Sequence, residues 1–124
     1  MPKTREIPRP EWASFLAAFS RMHRGWRARI EVFGADIGAQ EEAELPLMGV
    51  IVDPEPAGMR VTITLGLEPD DHVSHSIEHP TRIRLAQTDE GADQALEIEA
   101  EDGAITLVRF LSPALPETVD GMVP

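Results

Sequence analysis

The sequence predicts a mainly β fold of the α+β class, in which an N-terminal amphipathic helix packs on a curved antiparallel sheet or small barrel of about six strands. Three observations predict it. Large apolar residues recur at helical spacing between residues 10 and 25. Apolar and polar residues then alternate with period two across 26–111. Clusters of Pro, Gly and Asp break that alternation at short intervals, as turns between strands do. The chain of 124 residues makes one domain, 1–124, large enough to bury a core without disulfides.

Residues 1–9 carry prolines and no period, and read as an extended lead-in. In residues 10–25, Trp12, Phe15, Leu16, Phe19 and Met22 form one stripe of a helix. Pro10 suits the first helical turn, Glu11 complements the positive end of the dipole, and Arg21, His23 and Arg24 suit the last turn before Gly25, which can adopt the left-handed conformation that ends a helix. The plain reading is a helix closing a β core; a partner-binding or membrane-surface helix is the alternative.

From Trp26 to Phe33 the residues Trp26, Ala28, Ile30 and Val32 alternate with polar neighbours as in a half-buried strand. Gly34 to Gly38 makes a loop in which Ile37 tucks back. The next strand meets Pro46, which belongs at a bend or an edge, and continues as Leu47 to Val52, apolar throughout and so buried on both faces if the helix covers one. Met59 to Leu67 puts Val61, Ile63 and Leu65 on one face. Val73 to Leu85 reads as one strand with a kink at Pro80. Leu96 to Phe110 reads as a hairpin about Asp102-Gly103, with a two-residue type I′ turn pairing Ala100 with Ile105, Ile98 with Leu107 and Leu96 with Arg109. Residues 112–124 are an irregular tail.

Charge is divided unevenly along the chain. The net value is −11, yet residues 1–29 hold seven of the eleven basic side chains with Glu6 and Glu11 as their only acids. The acidic remainder repels polyanions, so no nucleic acid partner is expected. No apolar run approaches the roughly 20 residues needed to span a bilayer, and no signal-peptide core is present, so no membrane is expected and the cytoplasm is the default location. Without cysteine, a zinc site would have to use His and carboxylate alone.

His72, His75 and His79 are the concentrated donors. Asp70, Asp71, His72 and His75 could approach one another, and hold a divalent ion, if the strand begins only after His72. On a straight strand His72 faces away from His75 and His79, and those two stand ~13 Å apart. The bland reading is a partly buried His75 and a solvated His72. Ser74 and Ser76 sit in no nucleophile elbow, and no phosphate loop or cofactor motif is present. The rows Glu41, Glu42, Glu44 and Glu97, Glu99, Glu101 read as solvated strand faces. An enzyme is therefore the minority reading.

The segments Arg5-Glu6-Ile7-Pro8-Arg9-x-Glu11-Trp12, Phe19-Ser20-x-x-His23-x-Gly25-Trp26, Leu45-Pro46-Leu47-x-Gly49, His75-x-Ile77-x-x-Pro80 and Glu90-Gly91-Ala92-Asp93-x-Ala95-Leu96-x-Ile98 carry a resemblance over nearly the whole chain. The chain resembles an uncharacterised family of short bacterial proteins classed as a domain of unknown function. The resemblance implies no activity, no cofactor and no site residue.

The function expected from sequence is a non-catalytic binding or accessory module that self-associates or takes a protein partner, an open sheet edge and oppositely charged ends each offering a route to a homodimer. One rival is a metal-dependent protein using Asp70, Asp71, His72 and His75. The other is an acidic protein that sequesters a basic partner.

Overall fold

The computed structural model describes residues 3–34, 38–55, 58–68 and 71–114. In chain order the elements are β1 (Lys3–Ile7), a 3-10 turn (Arg9–Glu11), α1 (Trp12–His23), β2 (Arg27–Gly34), β3 (Gly38–Glu55), β4 (Gly58–Glu68), β5 (Asp71–Glu78), β6 (Pro80–Gln87), β7 (Asp93–Ala100) and β8 (Ile105–Ala114). Every strand pair is antiparallel. The described strands form one eight-stranded sheet in the order β1-β6-β7-β8-β2-β3-β4-β5. It is curved and open, because its terminal strands β1 and β5 do not pair with each other.

Eight strands replace the expected six for two reasons. The lead-in is a strand: Lys3 to Ile7 pairs with Gln87 to Ile83, and buried Ile7 is its anchor. The expected kink is a full corner, since His79 adopts φ 53° and divides β5 from β6. Few side chains tolerate that left-handed region, and His is among the more tolerant. The corner is held by the backbone, with His79 N–H donating to Met59 O at 3.0 Å and Glu101 N–H donating to His79 O at 2.9 Å.

In α1 the buried line is Trp12, Leu16, Phe19 and His23, each 3% exposed or less. Steps of four, three and four keep to the 3.6-residue period, so the stripe reaches His23 and leaves Met22 50% exposed, against expectation. The helix begins at Trp12, after the 3-10 turn, and Trp12 Nε1 donates to Ile7 O at 2.9 Å. Gly25 ends the turn with φ 89°, as its position predicts.

β3 serves two neighbours in succession. Its first half pairs with β2 from Gly34↔Gly38 to Arg27↔Pro46, and its second half with β4 from Leu47↔Leu65 to Glu55↔Gly58. Pro46 stands at the handover, which fits its missing N–H. Past it, β2 is gone and α1 takes the vacated flank: Ser20 Oγ accepts the Val50 N–H at 2.9 Å and lies 3.0 Å from Val50 O and 2.8 Å from Leu16 O. The helix thus covers an edge of β3 rather than a second face. Leu47 and Val50 are buried, whereas Ile51 is 53% exposed, which corrects the expectation of burial on both sides.

The hairpin register also departs from expectation by one residue. The pairs are Glu99↔Ile105, Ile98↔Thr106, Glu97↔Leu107 and Leu96↔Val108. Gly103 has φ 90°, its N–H donates to Ala100 O, and Ala100 N–H donates to Ala104 O. This is a three-residue loop whose left-handed third residue is the glycine, in place of the type I′ turn. The inward residues of β8 are therefore Thr106, Val108 and Phe110. β8 extends to Ala114, past the expected start of the tail, and residues 115–124, like Ile37, lie outside the described residues.

Candidate functional site

The densest polar arrangement in the interior lies where the last turn of α1 meets the start of β7. The stripe turns His23 inward, 1% exposed, among Phe19, Phe110 and Trp26, with ring centroids 4.3, 4.9 and 4.5 Å away. Asp93 reaches it because a tight loop precedes β7: Gly91 has φ 91°, its N–H donates to Thr88 O, and Ala92 N–H donates to Thr88 Oγ1 at 3.1 Å.

His23 Nδ1 donates to Phe19 O at 2.7 Å, and Nε2 lies 2.8 Å from Asp93 Oδ2. That second approach is a close charge contact whose angle falls short of a full hydrogen bond. Gln87 Nε2 donates to Asp93 Oδ1 at 2.9 Å. Burial pushes the Asp93 carboxyl up, but His23, the Gln87 hydrogen bond and the charge of Arg5 outweigh it and hold the group below the usual aspartate value. Both ring nitrogens face oxygen atoms, Nδ1 the Phe19 carbonyl and Nε2 the Asp93 carboxylate, and the two side chains form part of the wall of the cleft beside them.

Above the pair is a cleft of about 270 Å³ lined by Arg5, Phe15, Met22, Leu85, Gln87 and Gly91. Its volume is below the roughly 300–1,000 Å³ usual for small-molecule sites. A wider surface hollow of about 600 Å³ lies beside Arg24, Gly25, Pro46 and Met48, away from the buried pair and without convergent titratable groups. Sequence reasoning missed Asp93 and Gln87. The available signal was His23 itself, four residues beyond Phe19 on the apolar stripe, which needs a buried partner.

The sequence-predicted metal residues lie at the other end of the sheet. Asp70 is outside the described residues. β5 starts at Asp71, so His72 is already within the ladder, opposite Gly66, while His75 is opposite Ile63. His72 is exposed and His75 half-buried, and their spacing of three puts them on alternate faces. Among the described residues, no three His, Asp or Glu side chains gather as a metal group.

The sheet's two terminal strands differ in character. β1 is five residues long and carries Lys3, Arg5 and Glu6, the charged, short form in which edges resist pairing. β5 has eight residues, no lysine and no proline, with Val73 38% exposed among His72, Ser74 and Ser76.

Across the outer face of the middle strands Glu31, Glu44, Glu97 and Glu99 find partners. Arg84 bridges Glu97 and Glu99, Arg109 Nε lies 3.0 Å from Glu31, and Arg29 lies 3.5 Å from Glu31 and 3.3 Å from Glu44. Burial works against the Arg84 charge, but Glu97 and Glu99 outweigh it and raise its pKa. Glu31, Glu44, Glu97 and Glu99 are thus parts of an ion-pair ribbon, Glu101 is exposed as expected, and the side chains of Glu41 and Glu42 lie outside the described residues.

Among the described residues no helix is long and apolar enough to cross a membrane. Residues 3–118 match the model of a family described as a family of unknown function (DUF5335). No curated protein and no solved structure matches the chain.

Proposed function

Because this chain belongs to DUF5335, a family that brings no activity with it, we propose from its own geometry that it is a non-catalytic binding module that associates with a second copy of itself. The observation that carries the reading is β5, a terminal strand of eight residues with one flank paired to β4 and with neither lysine nor proline along it. An extended segment laid along that flank gains backbone hydrogen bonds at once, and alternate side chains supply selectivity. The interior supports a non-catalytic role, since His23 is shut away at 1% exposure among aromatic rings, with Nδ1 donating to Phe19 O.

The test is sedimentation velocity from low micromolar to several hundred micromolar, with backbone hydrogen exchange at both limits. Sedimentation should pass from monomer to a heavier species, and protection at 71–78 should rise with it. A constant monomer mass across the range sinks the reading.

A further inference from the structure

Resting on that self-association reading, we infer that two copies pair isologously through β5, antiparallel about His75, in one register. Opposing each residue with the one that brings their numbers to a sum of 150 sets Val73 against the partner's Ile77, Ser74 against the partner's Ser76, His72 against the partner's Glu78, and His75 against its own copy. The two apolar side chains of the strand then meet, and each imidazole at 72 meets a carboxylate that Arg60 of the same chain as Glu78 already holds at 2.7 Å. Shifting the strands by two residues either way, the smallest slip that keeps inner face beside inner face, destroys both matches. One direction sets Val73 against His75 and Asp71 against Ile77; the other sets Ser74 against Glu78.

The rows behind β5 agree with this choice. Leu47, Leu65 and Val73 form one cross-strand row, and Val52, Val61 and Ile77 another. Leu47 and Leu65 are buried while Val73, at the rim, is 38% exposed. In the proposed register the first row of one copy runs directly into the second row of the other, covering Val73 with Ile77, which is itself buried beside Val61. The pairing stops where the free edge stops, at the corner where Glu101 N–H donates to His79 O. β1 offers no such match, since a symmetric pairing there brings Lys3, Arg5 and Glu6 of two copies together without an apolar row to join them.

The chain has no cysteine, so single substitutions report the register directly. In His75→Cys the two Cα atoms should stand about 4.5–5.5 Å apart, within the ~4.4–6.8 Å window for a disulfide. In Val73→Cys they should stand ~13 Å apart. Air oxidation should therefore link His75→Cys into a covalent dimer at least about ten-fold faster than Val73→Cys. A second test uses exposed positions only, so that it survives any folding defect at half-buried His75. His72→Glu sets like charges face to face at two symmetric sites and should raise the dimer dissociation constant about five- to ten-fold. Adding Glu78→Gln, which removes the repulsion without setting a second cation beside Arg60, should bring it back to within about three-fold of the parent.

A faster link at 73 than at 75, or no rescue by the second substitution while the mass still doubles, overturns this register and leaves self-association standing. A chain that is monomeric throughout overturns both. Growth beyond a dimer without saturation would mean head-to-tail pairing of β1 with β5, and overturns the isologous arrangement.

Discussion

Replacing Asp93 by Asn keeps the shape of the buried pair, removes its charge and sets an amide NH2 where the acceptor Oδ2 now faces His23. The amide can still accept from Gln87, which sits 2.9 Å from Oδ1, so the loss falls on the 2.8 Å contact with His23. A hydrogen bond to a charged group is worth about 1.5–3 kcal/mol; this contact, short but off-angle, belongs at the lower end, and at 7% exposure little of it is screened by water. Asp93→Asn should therefore cost about 2 kcal/mol, roughly 6–8 °C in Tm for a domain of this length. The folded protein holds the Asp93 carboxyl below its ordinary value. Its stabilisation is thus fully present above the unfolded-state pKa of about 3.9 and is lost as pH falls through the lower folded value. The parent and Asp93→Asn should differ most near neutrality and converge in acid. Urea melts followed by tryptophan emission suit the measurement, because Trp26 stands edge-on to the His23 ring with centroids 4.5 Å apart. A gap under about 0.5 kcal/mol at pH 7, or one that persists unchanged at pH 3, would refute the reasoning.

Ser20→Ala should destabilise by about 1–3 kcal/mol, because the Val50 N–H on the vacated flank of β3 loses the acceptor it has at 2.9 Å and is buried too deeply for water to replace it; chemical denaturation reads this directly, and a loss within error would mean the flank is wet. Gly103→Ala should cost about 1 kcal/mol, since φ 90° penalises any side chain while open space surrounds the position; a neutral result would show that the loop can change type. Protein prepared without a histidine tag should bring down less than one equivalent of zinc, because β5 begins at Asp71 and puts His72 and His75 on alternate faces. Stoichiometric zinc, lost when His72→Ala and His75→Ala are combined, would favour the metal reading.

Where one chemical period governed, the sequence was readable. Val61, Ile63 and Leu65 alternate in β4 and are all buried, as are Ala28, Ile30 and Val32 in β2. Trp12, Leu16 and Phe19 lie inside as their spacing requires. Where two arrangements differ by one residue of register, local pattern lost its power. The Asp102-Gly103 dipeptide suits either a two- or a three-residue loop, and the choice was made by the core, which takes Thr106, Val108 and Phe110 from β8. Lys3 to Ile7 has no period because β1 buries only Ile7, so its strand depends on a partner some eighty residues away. The His23–Asp93 pair was illegible for the same reason: neither residue signals the other, and only the path of β7 past the end of α1 joins them. Three of the segments that carried the family resemblance, 19–26, 45–49 and 90–98, meet there, joined by Val50 and Phe110. Phe19, Ser20, His23, Gly25 and Trp26 hold α1 against Leu47, Val50, Asp93 and Phe110.

That joint has a consequence for synthesis. The aromatic rings of α1 leave the ribosome long before Phe110, against which Phe19 packs with centroids 5.8 Å apart. At about 5–20 residues per second, translation of the intervening stretch takes on the order of 5–20 s. During that interval the nascent chain carries its greasiest surface without the lid that will cover it. Vectorial emergence thus makes this small domain a natural client for holding factors at the exit tunnel, and its yield in the cell should track their abundance more closely than the stability of the finished fold.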